Sequence, residues 1–566
     1  MGSKLDNLKV LLKTQKGPLY LSSFDYYLNE YVPKDDNLRL MVSGFTGSVA
    51  EMIVFADRRS WLFVDGRYHE QADLEVDHTL IEVVKVPYGT SLTSAMFEKI
   101  QSVGLKDLVF IPERTSVVMM NQLAELTNIH ALASQDVEAV LEYQKPIETR
   151  APIVLDESEM GEGRRERLER LFDEESAFWT CALDSIAWLS GIRGFQLPFQ
   201  ATFRAYAFAT RSKLYIFTSK FNVEQLSDAQ LDSIEFHEFS QIKDVLSKIG
   251  KTFRKIGLDP SRTNAHAYAL IQKIFDAEFN LLPGFLVKEM AKKNAKEIEH
   301  FKAAFERSDR AIYNSLCWLK EKVGDVSEND WNNQTTEYYK NEGMIEHSFR
   351  TISGFGENGS IIHYGTPSKT RMLKHGDVCL LDSGAYYRDG HATDCTRTVL
   401  GRGEATADQK KQYTLVLKGL LAAMNAKFKE GTLGKEIDAL TRAPIQAAGF
   451  NYAHGTGHGV GINVHEGGYS VTPFSEVPLL PNRIGSLEPG IYIPGVGGVR
   501  LENVVQVVKD DKGMLGFKSL CYIGFDADLI AFDLLTDIEK QQLKSYEQVC
   551  QQKGRSFGVL QRFFSA

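Results

Sequence analysis

The segment HGTGHGVGINVHEGG, residues 454–468, decides how the C-terminal half of this chain is interpreted. His454 and His458 are four positions apart, the spacing of a helical metal-binding pair, but the glycines between and after them disfavour a helix. Glycine instead permits an extended backbone that approaches a ligand closely. The segment therefore predicts either extended chain that carries functional histidines, with His465 following His458 by seven positions, or a glycine-rich loop with capping histidines.

Two aspartates precede this segment, each beside a predicted strand. Asp382 ends the apolar run in VCLLDSG (378–384), and Asp394 enters ATDCTRTV (392–399). The dipeptide Asp389-Gly390 between them is a strong hairpin signal. A hairpin would bring both carboxylates to neighbouring strands, although each aspartate taken alone fits a turn or cap.

Two glutamates follow the segment in a similar arrangement. Glu488 precedes a Pro-Gly turn in SLEPGIYI (486–493), and Glu502 interrupts the apolar run GVRLENVVQVV (498–508). A glutamate in such a strand is costly unless it is paired or coordinated. The alternative to coordination is an ion pair, with Arg500 as the nearest candidate.

Four carboxylates and an imidazole that converge in a β-rich core require cations, because repulsion and desolvation would otherwise be severe. Oxygen-rich ligation with one nitrogen favours a pair of hard or borderline ions such as Mn²⁺ over a thiolate zinc site. Two ions about 3.5–4 Å apart make hydroxide available near neutral pH. The pattern thus predicts metal-assisted hydrolysis.

The N-terminal half contains two similar segments. SGFTGSVAEMIVFADRRSWLFVD (43–65) and SGIRGFQLPFQATFRAYAFATRSKLYIFTS (190–219) both read Ser-Gly-x-x-Gly, strand, turn and strand. We interpret them as one α/β unit duplicated, with chance similarity of two hairpins as the alternative.

Three domains are expected: 1–150, 151–290 and 291–566. A proline-containing linker occupies residues 144–163, and a Pro-Gly turn at 283–284 marks the second boundary. From Lys292 onward, apolar residues recur at intervals of three, four and seven positions, which predicts a long helix with one apolar face. That face comprises Ile298, Phe301, Phe305, Ile312, Leu316 and Leu319.

Composition excludes several classes of protein. The net charge of −9 over 566 residues argues against a nucleic-acid binder. No apolar run is long enough to cross a membrane, and the N-terminus lacks the apolar core of a signal peptide. Six scattered cysteines without a C-x-x-C pair fit a reducing compartment, so a cytoplasmic protein is expected.

The ordered motifs LLDSG, TDCTRT, HGTGHGVG, LEPGIYI and GVRLENVV resemble those of the pita-bread metallopeptidases. Within that family the chain is most similar to the long, three-domain, cytosolic type of aminopeptidase P (Xaa-Pro aminopeptidase). SGFTGS with WLFVDGRY, and LDSIAWLSGIRG with YAFA, resemble its two creatinase-like domains. The resemblance implies an α/β fold with two creatinase-like domains before a pita-bread catalytic domain.

The resemblance also implies residue roles. Two divalent ions would be held by five side chains: Asp382, Asp394, His458, Glu488 and Glu502. Asp394 and Glu502 would bridge the ions, and Glu488 would also accept the proton of the attacking water. His454 and His465 would orient the substrate and stabilise the oxyanion. His363, in SIIHY, would line the pocket at the scissile imide bond, while Tyr492 and Arg500 would support the liganding carboxylates.

One departure from the family concerns the loop between the aspartates. The family reads DGTTD where this chain reads DGHATD, one residue longer. An extra residue in a strand would turn side chains to the opposite face, whereas a hairpin loop absorbs it without moving Asp394. We expect the loop to absorb it and assign no role to His391.

The sequence therefore predicts a dimetal exopeptidase that acts on peptides with proline at the second position, with Mn²⁺ as metal and Zn²⁺ or Co²⁺ as alternatives. Resemblance alone implies a homodimer, and neither nucleic acid nor membrane is expected as partner. One alternative is prolidase, which cleaves Xaa-Pro dipeptides and typically has one N-terminal domain. Another is a metal-free interaction module, whose relatives lose the ligands. The sequence from Leu535 towards the C-terminus is typical of a helix that ends in aromatic residues.

Overall fold

The structure is a computed structural model that describes residues 2–227, 231–249, 252–322 and 326–564. The chain divides into two compact units, Met1–Leu286 and Val287–Ala566. In the described ranges, no helix is both long and apolar enough to cross a membrane.

The N-terminal unit contains two six-stranded sheets with the same strand order and directions, and one two-stranded sheet formed by residues 153–154 and 192–193. The first has the order β4-β3-β2-β1-β5-β6 and the second β12-β11-β10-β8-β13-β14. In each, the central strand pairs antiparallel with a hairpin, and the outer strands add in parallel. The strands are β1 (Leu19–Ser22), β2 (Glu51–Val54), β3 (Ser60–Val64), β4 (Ile81–Lys85), β5 (Asp107–Phe110), β6 (Asn128–Ala131), β7 (Ile153–Val154), β8 (Ser176–Thr180), β9 (Ile192–Arg193), β10 (Ala205–Thr210), β11 (Leu214–Thr218), β12 (Ile234–Glu238), β13 (Lys255–Leu258) and β14 (Glu278–Leu281).

These matching sheets confirm the predicted duplication. The hairpins β2–β3 and β10–β11 lie within the two similar sequence segments. In the first sheet the side chains alternate between two cores, with Met52 and Leu62 in one and Ile53 and Phe63 in the other. Such strands read as continuous apolar runs because both faces are covered.

Helices cover the faces of the two sheets. They are α1 (Gly2–Leu12), α2 (Leu38–Ser43), α3 (His69–Glu75), α4 (Leu92–Ser102), α5 (Val117–Leu126), α6 (Ser134–Val140), α7 (Glu157–Met160), α8 (Arg164–Leu171), α9 (Leu183–Ser190), α10 (Lys220–Leu226), α11 (Ile242–Ile249), α12 (Ala265–Ile274) and α13 (Phe285–Met290).

The C-terminal unit begins with the predicted long helix, α14 (Ala295–Glu321). Asn294 caps its N-terminus and forms a capping box with Glu297, so the helix starts three residues later than the apolar spacing suggests. All six residues of the predicted face are buried. The other helices are α15 (Glu328–Asn341), α16 (Ala407–Met424), α17 (Gly434–Ala447), α18 (Asp537–Gln552) and α19 (Val559–Phe564).

Two sheets form the centre of this unit. Their orders are β16-β17-β19 and β20-β27-β26-β23-β21-β22, and two two-stranded sheets, β15–β18 and β24–β25, accompany them. The strands are β15 (Glu346–His347), β16 (Ile352–Phe355), β17 (Val378–Ser383), β18 (Ala385–Tyr386), β19 (Cys395–Leu400), β20 (Lys427–Phe428), β21 (Gly457–Gly459), β22 (Glu466–Val471), β23 (Ile484–Leu487), β24 (Gly490–Ile493), β25 (Gly497–Arg500), β26 (Asn503–Lys509) and β27 (Leu515–Ser519).

The extra residue between the aspartates lies in the loop, as predicted. Strands β17 and β19 pair without a shift, with Asp382 opposite Thr396. The same register continues to the bridge between Tyr386 and Ala392. The insertion therefore sits in the turn beyond that bridge, and Asp394 keeps its side of the hairpin.

The predicted C-terminal helix docks on α14 through Arg555. This arginine, which follows α18 and is buried, pairs with Glu306 and lies 3.3 Å from Asp309 Oδ2. Burial raises the pKa of Asp309 to about 7, although hydrogen bonding from Tyr522 N and the charge of Arg555 oppose the rise.

Arg555→Ala should lower the free energy of unfolding by about 3 kcal/mol, the lower end for breaking a buried pair, because Asp309 can take up a proton. Urea denaturation measures this difference. Arg562→Ala is the matched control: its pair with Asp528 is exposed, so the loss should stay below about 1 kcal/mol. Equal losses in the two variants would contradict this account of docking.

Candidate metal centre

Strand geometry brings the five predicted ligands to one place. Asp382 lies on β17 and Asp394 directly precedes β19, while His458 is on β21. Glu488 directly follows β23, and Glu502 lies between β25 and β26. The glycines around His458 allow this approach: a Cβ added at Gly457 would lie 1.9 Å from Ser486 O on the adjacent strand.

Distances show that the polar atoms of these residues converge. His458 Nε2 lies 3.5 Å from Asp394 Oδ2 and 3.3 Å from Glu488 Oε1. One ligand atom each from Asp394, His458 and Glu502 lie within 4.8 Å of one another. In the described part of the chain, no other group of three or more His, Cys, Asp or Glu residues meets this geometry.

The ring of His458 is oriented for coordination. Its Nδ1 lies 3.0 Å from Gly459 O, and because a carbonyl oxygen only accepts, Nδ1 carries a proton. The other nitrogen, Nε2, therefore faces the carboxylates of Asp394 and Glu488. In the neutral ring that nitrogen presents a lone pair towards two anions, which is favourable only with a proton or a metal ion between them.

Two carboxylate oxygens at the site have no protein partner although they are buried. These are Asp382 Oδ1 and Glu502 Oε1. Buried polar atoms are almost always satisfied, so unpaired carboxylate oxygens indicate a missing cation. The donor set, four carboxylates and one imidazole, fits hard or borderline divalent ions. The residues present therefore fit the metal ions that the sequence predicts.

The electrostatics of the carboxyl groups and of His458 point the same way. Burial, followed by the charge of neighbouring carboxylates, raises the pKa of Glu502 well above its usual range, and burial raises that of Glu488 to about 7. Burial alone would lower the pKa of His458, but hydrogen bonding to Asp394 and the charge of Glu488 raise it to about 9. The arrangement therefore favours positive charge between these side chains, whether from protons or from cations.

Arg500 and Tyr492 connect the Asp382 carboxylate to His454. Arg500 Nη2 donates to Asp382 Oδ2 at 2.7 Å, and its Nη1 donates to the Tyr492 hydroxyl at 2.9 Å. The Tyr492 hydroxyl lies 2.9 Å from His454 Nε2. Since His454 Nδ1 faces Gly455 O at 2.7 Å, the Tyr492 hydroxyl donates to the neutral His454 ring.

The other histidines occupy different positions. The ring of His465 lies 4.4 Å from that of His458, which places it at the same centre. His363 follows Ile362, whose carbonyl oxygen is 3.4 Å from Arg500 Nη1. His391 is buried against Phe301 of α14 and lies 2.9 Å from Asp389 Oδ2, so it contacts both this helix and the loop between the aspartates.

Several supporting residues were not found by sequence reasoning. Thr396 Oγ1 donates to Glu502 Oε2 at 3.0 Å, and Ser486 Oγ donates to Glu488 Oε1 at 3.1 Å. The buried Arg442, paired with Asp438, donates to the carbonyl oxygen of His454 at 2.6 Å. Only the Asp438–Arg442 pair has a sequence signal, namely opposite charges four positions apart on a helix.

Glu328 also escaped sequence reasoning, although it fixes the loop that carries His363. Its fully buried carboxylate accepts hydrogen bonds from Phe355 N at 2.8 Å and from Ser368 N at 3.0 Å. The Asn358 amide and the Tyr364 hydroxyl donate to it as well, at 2.9 Å and 2.7 Å. One side chain thus holds both ends of residues 355–368.

Comparison with known proteins defines first the class of protein. Residues 299–509 match Metallopeptidase family M24, and residues 143–297 match the Creatinase/Prolidase N-terminal domain. The chain is therefore a metallopeptidase, a hydrolase. The predicted fold class, two creatinase-like domains before a pita-bread catalytic domain, is confirmed.

The particular family follows from full-length relatives. The chain is 30% identical to a probable Xaa-Pro aminopeptidase P of Coprinopsis cinerea, over 97% of this chain and 94% of that protein. It is 31% identical to a probable Xaa-Pro aminopeptidase P of Tuber melanosporum, over 98% of this chain and 96% of that protein. This chain belongs to the Xaa-Pro aminopeptidase P family.

Solved structures share the fold. An X-prolyl aminopeptidase from Caenorhabditis elegans, described as a cytosolic enzyme with a di-nuclear active site, has a TM-score of 0.87 at 24% identity and covers 97% of this chain and 95% of its own. An Xaa-Pro dipeptidase from Bacillus anthracis has a TM-score of 0.54 at 29% identity, over 63% of this chain and 96% of its own.

The protons at the site determine how stability depends on pH when the metal is removed. The folded pKa of Glu488 is about 7 and that of His458 about 9, against about 4.3 and about 6.5 in unfolded chains. The folded protein therefore binds more protons than the unfolded chain, so this stabilisation is present at low pH and is lost as pH rises. We expect the Tm of EDTA-treated protein to fall between about pH 6 and about pH 9.

Circular dichroism on heating measures this fall. Glu488→Gln removes one titrating group and should make the fall shallower. Mn²⁺ competes with the protons and should raise the Tm more at high pH than at low pH. A Tm of EDTA-treated protein that rises across the same range would contradict the assignment.

Proposed function

We propose that this protein is a dimetal aminopeptidase that hydrolyses the bond between an N-terminal residue and a proline at the second position. The observation that carries the proposal is the meeting of Asp394, His458 and Glu502, with two buried carboxylate oxygens left unpaired beside them. Full-length relatives named Xaa-Pro aminopeptidase P support the substrate class.

In this proposal the five converging side chains hold two divalent ions. Asp394 and Glu502 would contribute to both ions, Asp382 to one of them, and His458 and Glu488 to the other. When bound, such ions polarise a carbonyl oxygen and lower the pKa of water towards neutrality. The di-nuclear site named for the C. elegans enzyme supports the metal number.

The chain's own residues then orient the substrate and move its protons. Glu488 accepts the proton of the attacking water, a role suited to a carboxyl group whose pKa is raised towards neutrality. His454, whose ring nitrogens contact Gly455 O and the Tyr492 hydroxyl and whose carbonyl oxygen accepts from Arg442, orients the substrate, and it would donate to the oxyanion only after exchanging one of these ring partners. His465 orients the substrate beside His458, and His363 lines the pocket for the proline.

Proline explains why a dedicated enzyme is useful. It lacks the amide N–H, so its imide bond offers an ordinary protease one donor fewer. Prolidase is the nearest alternative. The full-length relatives named Xaa-Pro aminopeptidase P favour an aminopeptidase, because they align over 97% and 98% of this chain, whereas the dipeptidase of B. anthracis covers 63% of it.

Further features belong to the same proposal. The three domains span residues 1–150, 151–290 and 291–566. The metal is Mn²⁺, with Zn²⁺ or Co²⁺ as alternatives. The protein acts in the cytoplasm as a homodimer. The oxygen-rich donor set supports the choice of Mn²⁺. A metal-free interaction module is disfavoured, because all five ligand positions are occupied by side chains that can coordinate.

Purified protein with Mn²⁺ should release the first residue of an Xaa-Pro-Xaa tripeptide and act more slowly on the Xaa-Pro dipeptide. Chromatography of the products measures both rates. An Xaa-Ala-Xaa tripeptide is the control for proline preference. Faster cleavage of the dipeptide would favour prolidase, and failure with Mn²⁺, Co²⁺ and Zn²⁺ alike would refute the proposed activity.

Asp394→Ala should reduce the metal content of Mn²⁺-loaded protein from two ions per chain to one or none, because Asp394 is assigned to both ions. kcat/KM should fall by more than the 10- to 100-fold that is roughly typical for loss of an outer-shell partner. Plasma mass spectrometry gives the metal content. Asp389→Ala, in the same hairpin but outside the ligand set, serves as control and should retain both ions. Two ions in the Asp394→Ala protein would contradict the assignment.

A further inference from the structure

Glu502 lies at a break between two strands, so no sheet ladder fixes its main chain. Strand β25 ends at Arg500 and β26 begins at Asn503. The Glu502 amide donates to Thr396 O at 3.1 Å, and its carbonyl oxygen accepts a hydrogen bond from Arg397 Nη1. Cys395 Sγ also lies 3.5 Å from this carbonyl oxygen, so the direction of the Glu502 carboxylate depends on the first three residues of β19.

Arg397 is an unusual anchor because it is a buried cation with neutral partners. Its side chain is 1% exposed. Nη2 donates to Asn503 Oδ1 at 2.9 Å, to Ile523 O at 2.8 Å and to the Tyr546 hydroxyl at 2.9 Å. The guanidinium is a rigid plane with donors at fixed angles. Because the guanidinium is rigid, the three contacts of Nη2 also fix the position of Nη1, the atom that donates to the carbonyl oxygen of Glu502.

Tyr546 extends this anchor into the C-terminal helix. It lies on α18, and its buried hydroxyl is 3.1 Å from Cys521 O and 3.0 Å from Ile523 O. Helix α18 begins at Asp537, beyond residue 509 where the match to the metallopeptidase family ends. Helix α18, which lies outside that match, is thus connected to Glu502 through the side chain of Arg397.

We propose that helix α18 is part of the support of the metal centre, with Tyr546 and Arg397 as positioning residues for Glu502. The inference rests on the proposed function, in which Glu502 holds both ions. Without the Tyr546 hydroxyl, the Arg397 plane loses one of the contacts that orient it. The Glu502 carboxylate then meets the ions in a poorer geometry, and metal affinity falls while the rest of the fold persists.

Mn²⁺ titration of the full-length Tyr546→Phe protein, followed by calorimetry, tests this inference. We expect the dissociation constant of the weaker-bound ion to rise about tenfold, the lower end for loss of an outer-shell partner. Arg397→Lys keeps the charge but loses the planar fork, so its dissociation constant should rise more.

Tyr413→Phe is the matched control. Tyr413 is fully buried on α16, and its hydroxyl accepts a hydrogen bond from Asp526 N at 3.0 Å, whereas the Tyr546 hydroxyl accepts one from Arg397. This variant should lose stability as Tyr546→Phe does, yet keep its Mn²⁺ dissociation constants within about twofold of wild type.

The outcomes separate this inference from the proposed function. Weaker Mn²⁺ binding in Tyr546→Phe but not in Tyr413→Phe supports a positioning role. Unchanged binding in Tyr546→Phe, with stability lowered as in the control, overturns that role while the proposed function stands. Wild-type protein that binds no Mn²⁺, Co²⁺ or Zn²⁺ refutes the proposed function, and the inference with it.

Discussion

Four carboxylates and one imidazole share a buried site in the C-terminal unit, and their mutual repulsion is the constraint on which the rest depends. Arg500 neutralises part of the charge through Asp382, but Glu502 Oε1 and Asp382 Oδ1 remain without partners. Burying uncompensated charge is costly, and a protein that assembles such a site stabilises it with cations or protons. The raised pKa values of Glu488 and Glu502 show the proton form of that compensation.

Strand β19 supports the site from both of its faces. Because side chains alternate along a strand, Thr396 and Arg397 point in opposite directions. The Thr396 hydroxyl touches the Glu502 carboxylate, while the Arg397 guanidinium holds the Glu502 carbonyl and reaches Tyr546. A single strand therefore connects the ligands on one side with the C-terminal helix on the other.

The sequence was informative where the signal is local. Asp389-Gly390 predicted the hairpin and its continuous register, and the 3–4 spacing of Phe301 and its neighbours predicted the buried face of α14. The duplication of the sheets could also be inferred, because the repeated segments are hairpins. Both faces of these hairpins are buried, so their strands appear in the sequence as apolar runs. Motif resemblance indicated the five ligand positions, although their coordination roles stay predictions.

What could not be predicted depends on partners distant along the chain. Glu328 looks like an ordinary acidic residue in a first helical turn, yet its carboxylate holds both ends of a loop about 30 residues away. Arg397 and Tyr546 are 149 positions apart, and no local pattern distinguishes either from a surface residue. Tertiary hydrogen bonds of this kind become visible only in the folded chain.

The central claim is that these acidic groups and His458 meet around a pair of cations. Anomalous X-ray diffraction from crystals soaked in Mn²⁺ tests it most directly. The account predicts two anomalous peaks about 3.5–4 Å apart, both beside Asp394 and Glu502, with His458 Nε2 next to one of them. Crystals that show no peak there, or only one, would contradict it.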